Sequence, residues 1–248
     1  MLKGKKAAYI AILLVVITLI AMASALTFFF KYRTHVSDSV GPPAELINAI
    51  YEKDMLEFYV KESGRLSVQE AFSYIAEKGA SSGECSLFGE HIIWNEKCKP
   101  DKINASFLEK FNSSFNNFIK SYTSSKVTPK EPSLSNGTVK IDSEDITFNA
   151  SNEKGYVKYN ATIISNAPLE IDLQSLGINL DDFAGIYKKA FECKDKNITK
   201  VAECMKVPGW KANIELLDNY LLIDMSTEKS FWADNKFAPV SLNFALTI

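Results

Sequence analysis

Arginine is nearly missing from this chain. Arg33 and Arg65 are the only two, against 26 lysines. The planar guanidinium grips phosphate and carboxylate groups in two-point contacts, so a fold organised around anion recognition is not expected. Histidine is as scarce, with His35 and His91 alone. Cys85, His91 and Cys98 lack the close C-x₂₋₄-C pairing of a structural zinc site, so no metal is expected. Four cysteines in 248 residues are too few for a miniprotein built from disulfides. Neither sign of charge dominates: 28 basic against 30 acidic residues leaves a formal net charge of −2, which argues against nucleic acid as a partner. The phosphate-cradling G-x-x-x-x-G-K-[ST], the dinucleotide G-x-G-x-x-G and the zinc-protease H-E-x-x-H are all lacking, and no cofactor is expected.

What remains is the composition of a folded protein, 46 % hydrophobic, 12 % aromatic and 23 % charged. Wholesale disorder is excluded on that ground. The length allows one sizeable core or two small ones.

One uncharged run stands out, residues 7–30, long enough for a helix to cross the hydrocarbon core of a bilayer. Lys3, Lys5 and Lys6 precede it, while Lys31 and Arg33 follow. The heavier positive cluster is N-terminal. Residues 1–6 are therefore expected in the cytoplasm, 7–30 in the lipid bilayer as an uncleaved signal anchor, and the rest outside the cytoplasm. Two alternatives share this export. Ala21-Met22-Ala23 and Ala23-Ser24-Ala25 each fit a signal-peptidase site, which would release a secreted protein. Against cleavage, the apolar run continues through Leu26 and Phe28 to Phe30. Lys3-Gly4 before a long apolar helix resembles the processing site of type IV pilin-like proteins, with Tyr9 where that family has an early glutamate. The resemblance implies a subunit that assembles through its N-terminal helix.

Cys85, Cys98, Cys193 and Cys204 form two close pairs in sequence separated by a long gap. Of the three pairings open to four cysteines, Cys85–Cys98 and Cys193–Cys204 are favoured. Six Asn-x-Ser/Thr sequons, at Asn104, Asn112, Asn136, Asn149, Asn160 and Asn197, lie beyond the apolar segment. Chance would supply roughly two or three, so they are candidate glycosylation sites.

The exported part reads as α+β: a helical subdomain over 31–122, a polar linker over 123–138, and a mostly antiparallel sheet with a helix pair over 139–248. Pro42-Pro43 opens a helix expected to run to about Glu62, and the capping box Ser67-Val68-Gln69-Glu70 opens another that stops at Gly79. A short strand is expected at His91-Ile92-Ile93-Trp94, inside the loop that Cys85 and Cys98 would pin. The next helix, with Asn104 as its N-cap, carries Phe107, Leu108, Phe111, Phe115, Phe118 and Ile119 at helical spacing. Pro129, Pro132 and several serines mark the linker. Strands follow at 139–141, 146–149, 156–164 and 169–173, with a turn over 152–155. Asn179 caps a helix striped with Phe183, Ile186, Tyr187, Ala190 and Phe191, and a short helix then holds Val201, Cys204 and Met205. Strands return at 212–217 and 220–225. Val240, Leu242, Phe244, Leu246 and Ile248 alternate to the last residue, predicting a half-buried strand.

No catalytic set emerges. Gly79-Ala80-Ser81-Ser82-Gly83 matches G-x-S-x-G in letters, yet a helix precedes the serine where a nucleophile elbow needs a strand. The acidic groups Asp142-Ser143-Glu144-Asp145 and Asp181-Asp182 fall in a turn and in the first turn of a helix, where acids are solvated or complement the helix dipole. The expected function is that of a membrane-anchored binding, adhesion or cell-envelope protein meeting an extracytoplasmic protein or glycan. His91 and Trp94 are its candidate contacts. A pilin-like subunit and a secreted hydrolase are the alternatives.

Overall fold

Where the sequence suggested two helices, a single one runs for 37 residues, α1 (Gly41–Glu77). It belongs to a computed structural model that describes residues 20–28, 41–81, 85–123, 130–142, 145–152, 159–165 and 169–248. The expected capping box does not cap. Ser67 is fully buried, and its hydroxyl donates to the Ser63 carbonyl one turn back (2.6 Å), so the helix continues through it. Glycine at position 64 costs helix propensity, about 1 kcal/mol relative to alanine. Here it makes room: a Cβ would sit 2.5 Å from Leu169 Cδ2 and 2.7 Å from Ile171 Cδ1.

The remaining helices are α2 (Ile103–Thr123), α3 (Leu173–Leu176), α4 (Asp181–Cys193) and α5 (Ile198–Cys204). The strands are β1 (Leu87–Phe88), β2 (His91–Ile93), β3 (Ser133–Ser135), β4 (Thr138–Ile141), β5 (Ile146–Asn152), β6 (Tyr159–Ser165), β7 (Leu169–Asp172), β8 (Trp210–Leu217), β9 (Tyr220–Ala233) and β10 (Lys236–Thr247). They form a five-stranded sheet in the order β1-β2-β10-β9-β8, a three-stranded sheet β3-β4-β7, and the pair β5-β6. The fold is α+β and its sheets are mostly antiparallel; β2 alongside β10 is parallel.

The described residues fall into two compact units. The smaller holds 20–28, 41–54, 147–152 and 159–164, and the larger holds 55–81, 85–123, 130–142, 145–146, 165 and 169–248. In the smaller unit Ala49, Phe148 and Ala150 are buried. Residues 20–28 are helical and exposed throughout. The rest of the run 7–30 lies outside the described residues, as does 153–155 of the expected turn. Among the described residues no helix is long and apolar enough to cross a membrane.

The larger unit is held by aromatic rings from distant parts of the chain. Phe72 of α1 meets Phe183 of α4, Trp210 of β8 and Phe231 of β9, with ring centroids 5.5, 6.3 and 5.2 Å apart. Helix and sheet regions expected to form separate subdomains thus share one core, and the units do not divide at 123–138. Part of that stretch is itself sheet. β3 turns into β4 through Asn136-Gly137, at φ 50° and 73°. Asn-Gly is a strong signal for such a mirror-image hairpin turn, and it overrides the neighbouring serines and prolines.

Other elements shift at their ends for local reasons. Asn104 lies inside the first turn of α2, exposed, instead of capping it. Leu173 leaves the strand to open α3, because the Asp172 carboxylate caps the Gln174 N–H (3.0 Å). Asn179 accepts the Asp181 N–H (3.3 Å) but lies one residue ahead of the N-cap position of α4, which is Leu180, whereas Asn197 is the N-cap of α5 and accepts the Thr199 N–H (3.2 Å). On β10, Val240, Leu242, Phe244 and Leu246 are buried as the alternation predicts. Ile248 is not: it lies past the strand end and is 55 % exposed. Ala245, expected on the outer face, is fully buried.

Candidate functional site

Strand β9, between β10 and β8, alternates Leu221, Ile223 and Met225 into the core, which turns Asp224 and Ser226 to the opposite face. Cross-strand register sets Asn243 of β10 and Asn213 of β8 opposite Asp224. Phe244 opposite Ile92 brings His91 level with Asn243, and Phe88 is opposite His91. Directly opposed residues share a face. All five strands therefore contribute to one row, Phe88, His91, Asn243, Asp224 and Asn213, on the face turned away from the aromatic core.

His91 and Asp224 meet across the intervening strand β10, with Nε2 2.7 Å from Oδ1. An ionised carboxylate only accepts, so Nε2 carries the proton and donates, and Nδ1 is left for another partner. The histidine side chain is 16 % exposed and the aspartate 46 %, which leaves the carboxylate open to solvent. Farther along the same face Phe88 stacks on Tyr220, with centroids 4.4 Å apart. The row thus offers two amides, a carboxylate and an imidazole beside an aromatic pair.

Trp94 does not belong to it. The sequence marked Trp94 with His91 as an exposed contact, but the indole is 1 % exposed, stacks on Phe244 and donates its N–H to the Gly79 carbonyl (3.0 Å). Trp94 follows the end of β2 with its backbone N–H on the Ala245 carbonyl (3.0 Å) and turns inward. Asp224, Asn213 and Asn243 were missed. A signal existed: aspartate is depleted in strands, and Asp224 interrupts the apolar run Tyr220-Leu221-Leu222-Ile223.

The disulfides join Cys85 to Cys98 and Cys193 to Cys204, with Cα atoms 5.6 and 6.0 Å apart. The first closes the loop carrying His91, and the second staples α4 to α5. Of the sequons, Asn104, Asn136, Asn149 and Asn197 are exposed and Asn112 is half-buried within α2; of the Asn160 side chain nothing is described. Ser81 follows α1 and a turn, with Gly79 and Ala80 at φ 61° and 53°, so it has no elbow geometry. Asp182 receives the Trp210 indole N–H (3.3 Å) and the Asn179 amide (2.7 Å), a structural role.

A cleft of about 820 Å³ lies beside Tyr74, Lys78, Glu90, Glu109 and Lys110. Lys110 is already engaged there, 2.9 Å from Glu70 and 5.1 Å above the Tyr74 ring. A smaller one, about 270 Å³, includes Asn104, Asn136 and Asp181. No group of three or more histidine, cysteine or acidic residues among the described residues is arranged to hold a metal ion. No family model, curated protein or solved structure matches the chain.

Proposed function

We propose that this chain is an exported, membrane-tethered binding protein whose folded part offers the polar row of its five-stranded sheet to a glycan of the cell envelope. The row itself carries the reading. Asn213, Asn243, Asp224 and His91 supply hydrogen-bond donors and acceptors suited to sugar hydroxyls, and the Phe88–Tyr220 stack supplies an apolar surface beside them. The near-absence of arginine argues against an anionic partner.

Export is supported by the two disulfides, which persist in oxidising compartments. Tethering is supported by the helix over 20–28. Ile20, Met22, Leu26 and Phe28 are all more than half exposed. The Ser24 and Thr27 hydroxyls donate to the carbonyls of Ile20 (2.8 Å) and Ala23 (2.9 Å), so neither would enter lipid unsatisfied.

The full chain, purified in detergent, should bind a subset of an array of uncharged envelope polysaccharides, and Asp224→Ala and Asn213→Ala should each weaken binding by tenfold or more. Binding that both variants leave unchanged would reject the row as the site. For the tether, the mature protein should begin at Met1. A start at Ser24 or Leu26 means secretion, and at Lys5 pilin-like processing. Protease added to intact cells should degrade the part beyond residue 31, and complete protection until lysis would reject the orientation.

A further inference from the structure

β8 forms one edge of the five-stranded sheet. It is eight residues long, and Lys211, Ala212, Asn213, Glu215, Leu216 and Leu217 are exposed. Long open edges of this kind invite another strand unless they are blocked. The hairpin closes on Leu217 opposite Tyr220, and at its other end the Glu228 N–H reaches the Gly209 carbonyl (2.9 Å). Antiparallel pairing alternates residues bonded to the partner with residues whose groups point away. The odd-numbered residues of β8 therefore bond to β9. Ala212, Ile214 and Leu216 direct their N–H and C=O groups outward, with no strand beyond among the described residues.

We infer that this edge pairs with β8 of a second copy of the chain, antiparallel, about a two-fold axis through Asn213. Three features of the strand select that arrangement. Only registers that oppose even-numbered residues satisfy both sets of outward groups. Among these, the axis at Asn213 sets Ala212 opposite Ile214 of the second copy and Lys211 opposite its Glu215, and the two-fold repeats both pairs. Axes at Ala212 or Ile214 would leave Lys211 opposite Asn213 or Leu217. Lys211 and Glu215 fall at the closely spaced, non-hydrogen-bonded positions, where opposed side chains interact most strongly. Neither is engaged in a salt bridge among the described residues. The pairing also sets Leu216, 52 % exposed, opposite the buried Trp210 of the second copy.

The interface is self-complementary, as a two-fold dimer requires. It joins two sheets into one of ten strands and brings the two polar rows end to end at Asn213. Confinement of both copies to one membrane would raise their effective concentration and favour a contact of modest area. The dimer stands on the edge geometry and does not depend on what the row binds.

The test uses the full-length chain in the membranes of expressing cells. Cys85, Cys98, Cys193 and Cys204 are all paired, so an introduced cysteine is the single free thiol. Asn213→Cys should form a disulfide-linked dimer on mild oxidation with copper phenanthroline, because the axis brings position 213 against itself. Leu217→Cys should remain largely monomeric, since position 217 lies opposite Gly209. In the Asn213→Cys background, Lys211→Glu should reduce the cross-linked fraction at least fivefold. Adding Glu215→Lys should restore it. Equal cross-linking at 213 and 217, no cross-linking at 213, or failure of the double reversal to recover the dimer would each overturn the proposal.

Discussion

The Trp94 indole lies flat against the Phe244 ring, with centroids 3.7 Å apart and planes 19° from parallel. One side chain lies within the loop pinned by Cys85 and Cys98, just after β2, and the other sits in the central strand β10. Their contact, together with the parallel pairing of β2 and β10, ties the disulfide loop to the middle of the sheet. Replacing Trp94 by alanine should destabilise the larger unit by about 3–5 kcal/mol, the range for an aromatic lost from a core. Trp94→Phe keeps an aromatic ring but leaves the Gly79 carbonyl without its donor, so it should cost less, about 1–3 kcal/mol. Urea unfolding monitored by far-ultraviolet circular dichroism measures both. Equal losses would show that a ring stacked on Phe244 contributes nothing, and no loss in Trp94→Phe would show the same of the indole N–H.

Gly64 supplies a second test. A methyl group there meets Leu169 Cδ2 and Ile171 Cδ1 at under 3 Å, inside the core. Helix propensity favours Gly64→Ala by about 1 kcal/mol, whereas overpacking typically costs about 1–3 kcal/mol. The clash should win, and the variant should melt below the parent. A rise in melting temperature would mean that β7 yields freely and that the close approach is not needed.

Deleting residues 240–248 removes Val240, Leu242, Phe244, Ala245 and Leu246, all buried, and strips both β2 and β9 of their shared neighbour. At about 1.5–3 kcal/mol for each large buried side chain, the loss is comparable to the whole stability of an ordinary domain. The truncated chain should lack a cooperative thermal transition. Removing Ile248 alone, exposed beyond the strand, should be nearly silent. A truncated protein that melts like the full chain would show that β10 is not part of the core.

Arg65 offers its Nε to both carboxylate oxygens of Glu62 (3.1 and 3.0 Å) and its Nη2 to Oε1. These hydrogen bonds, opposed by partial burial, hold the Glu62 carboxyl below its ordinary value. A folded-state pKa lowered in this way contributes stability that is present above the unfolded-state value and is lost as the pH falls through the folded one. Both side chains are more than a third exposed, so water screens the pair and its contribution should stay below about 1 kcal/mol. The stability gap between the parent and Glu62→Gln should therefore close as the pH is lowered from 7 to 3. A gap independent of pH would mean that the ion pair does not form in solution.

Several elements could be read directly along the chain because their causes are local. The stripe of Phe107, Phe111, Phe115 and Ile119 makes α2 amphipathic wherever it folds, and the same holds for Phe183, Ile186 and Ala190 in α4. The cysteines pair at separations of 13 and 11 residues, where closing a loop costs little chain entropy. The seam at Ser63 to Ser67 misled for an equally physical reason: glycine, serines and a capping box mark a helix start in isolation, and burial against β7 outweighs them.

By itself, then, the sequence determined the identity of the amphipathic helices, the inward set of β10, the cysteine pairs and the uncharged N-terminal run. Each follows from periodicity or spacing within a few turns of chain. The continuity of α1, the parallel entry of β2, the burial of Trp94 and the meeting of His91 with Asp224 were decided only by tertiary structure. His91 and Asp224 are 133 residues apart, and no local preference of either residue refers to the other. They meet because β2 and β9 both pair with β10, and that pairing is set by which apolar faces bury together.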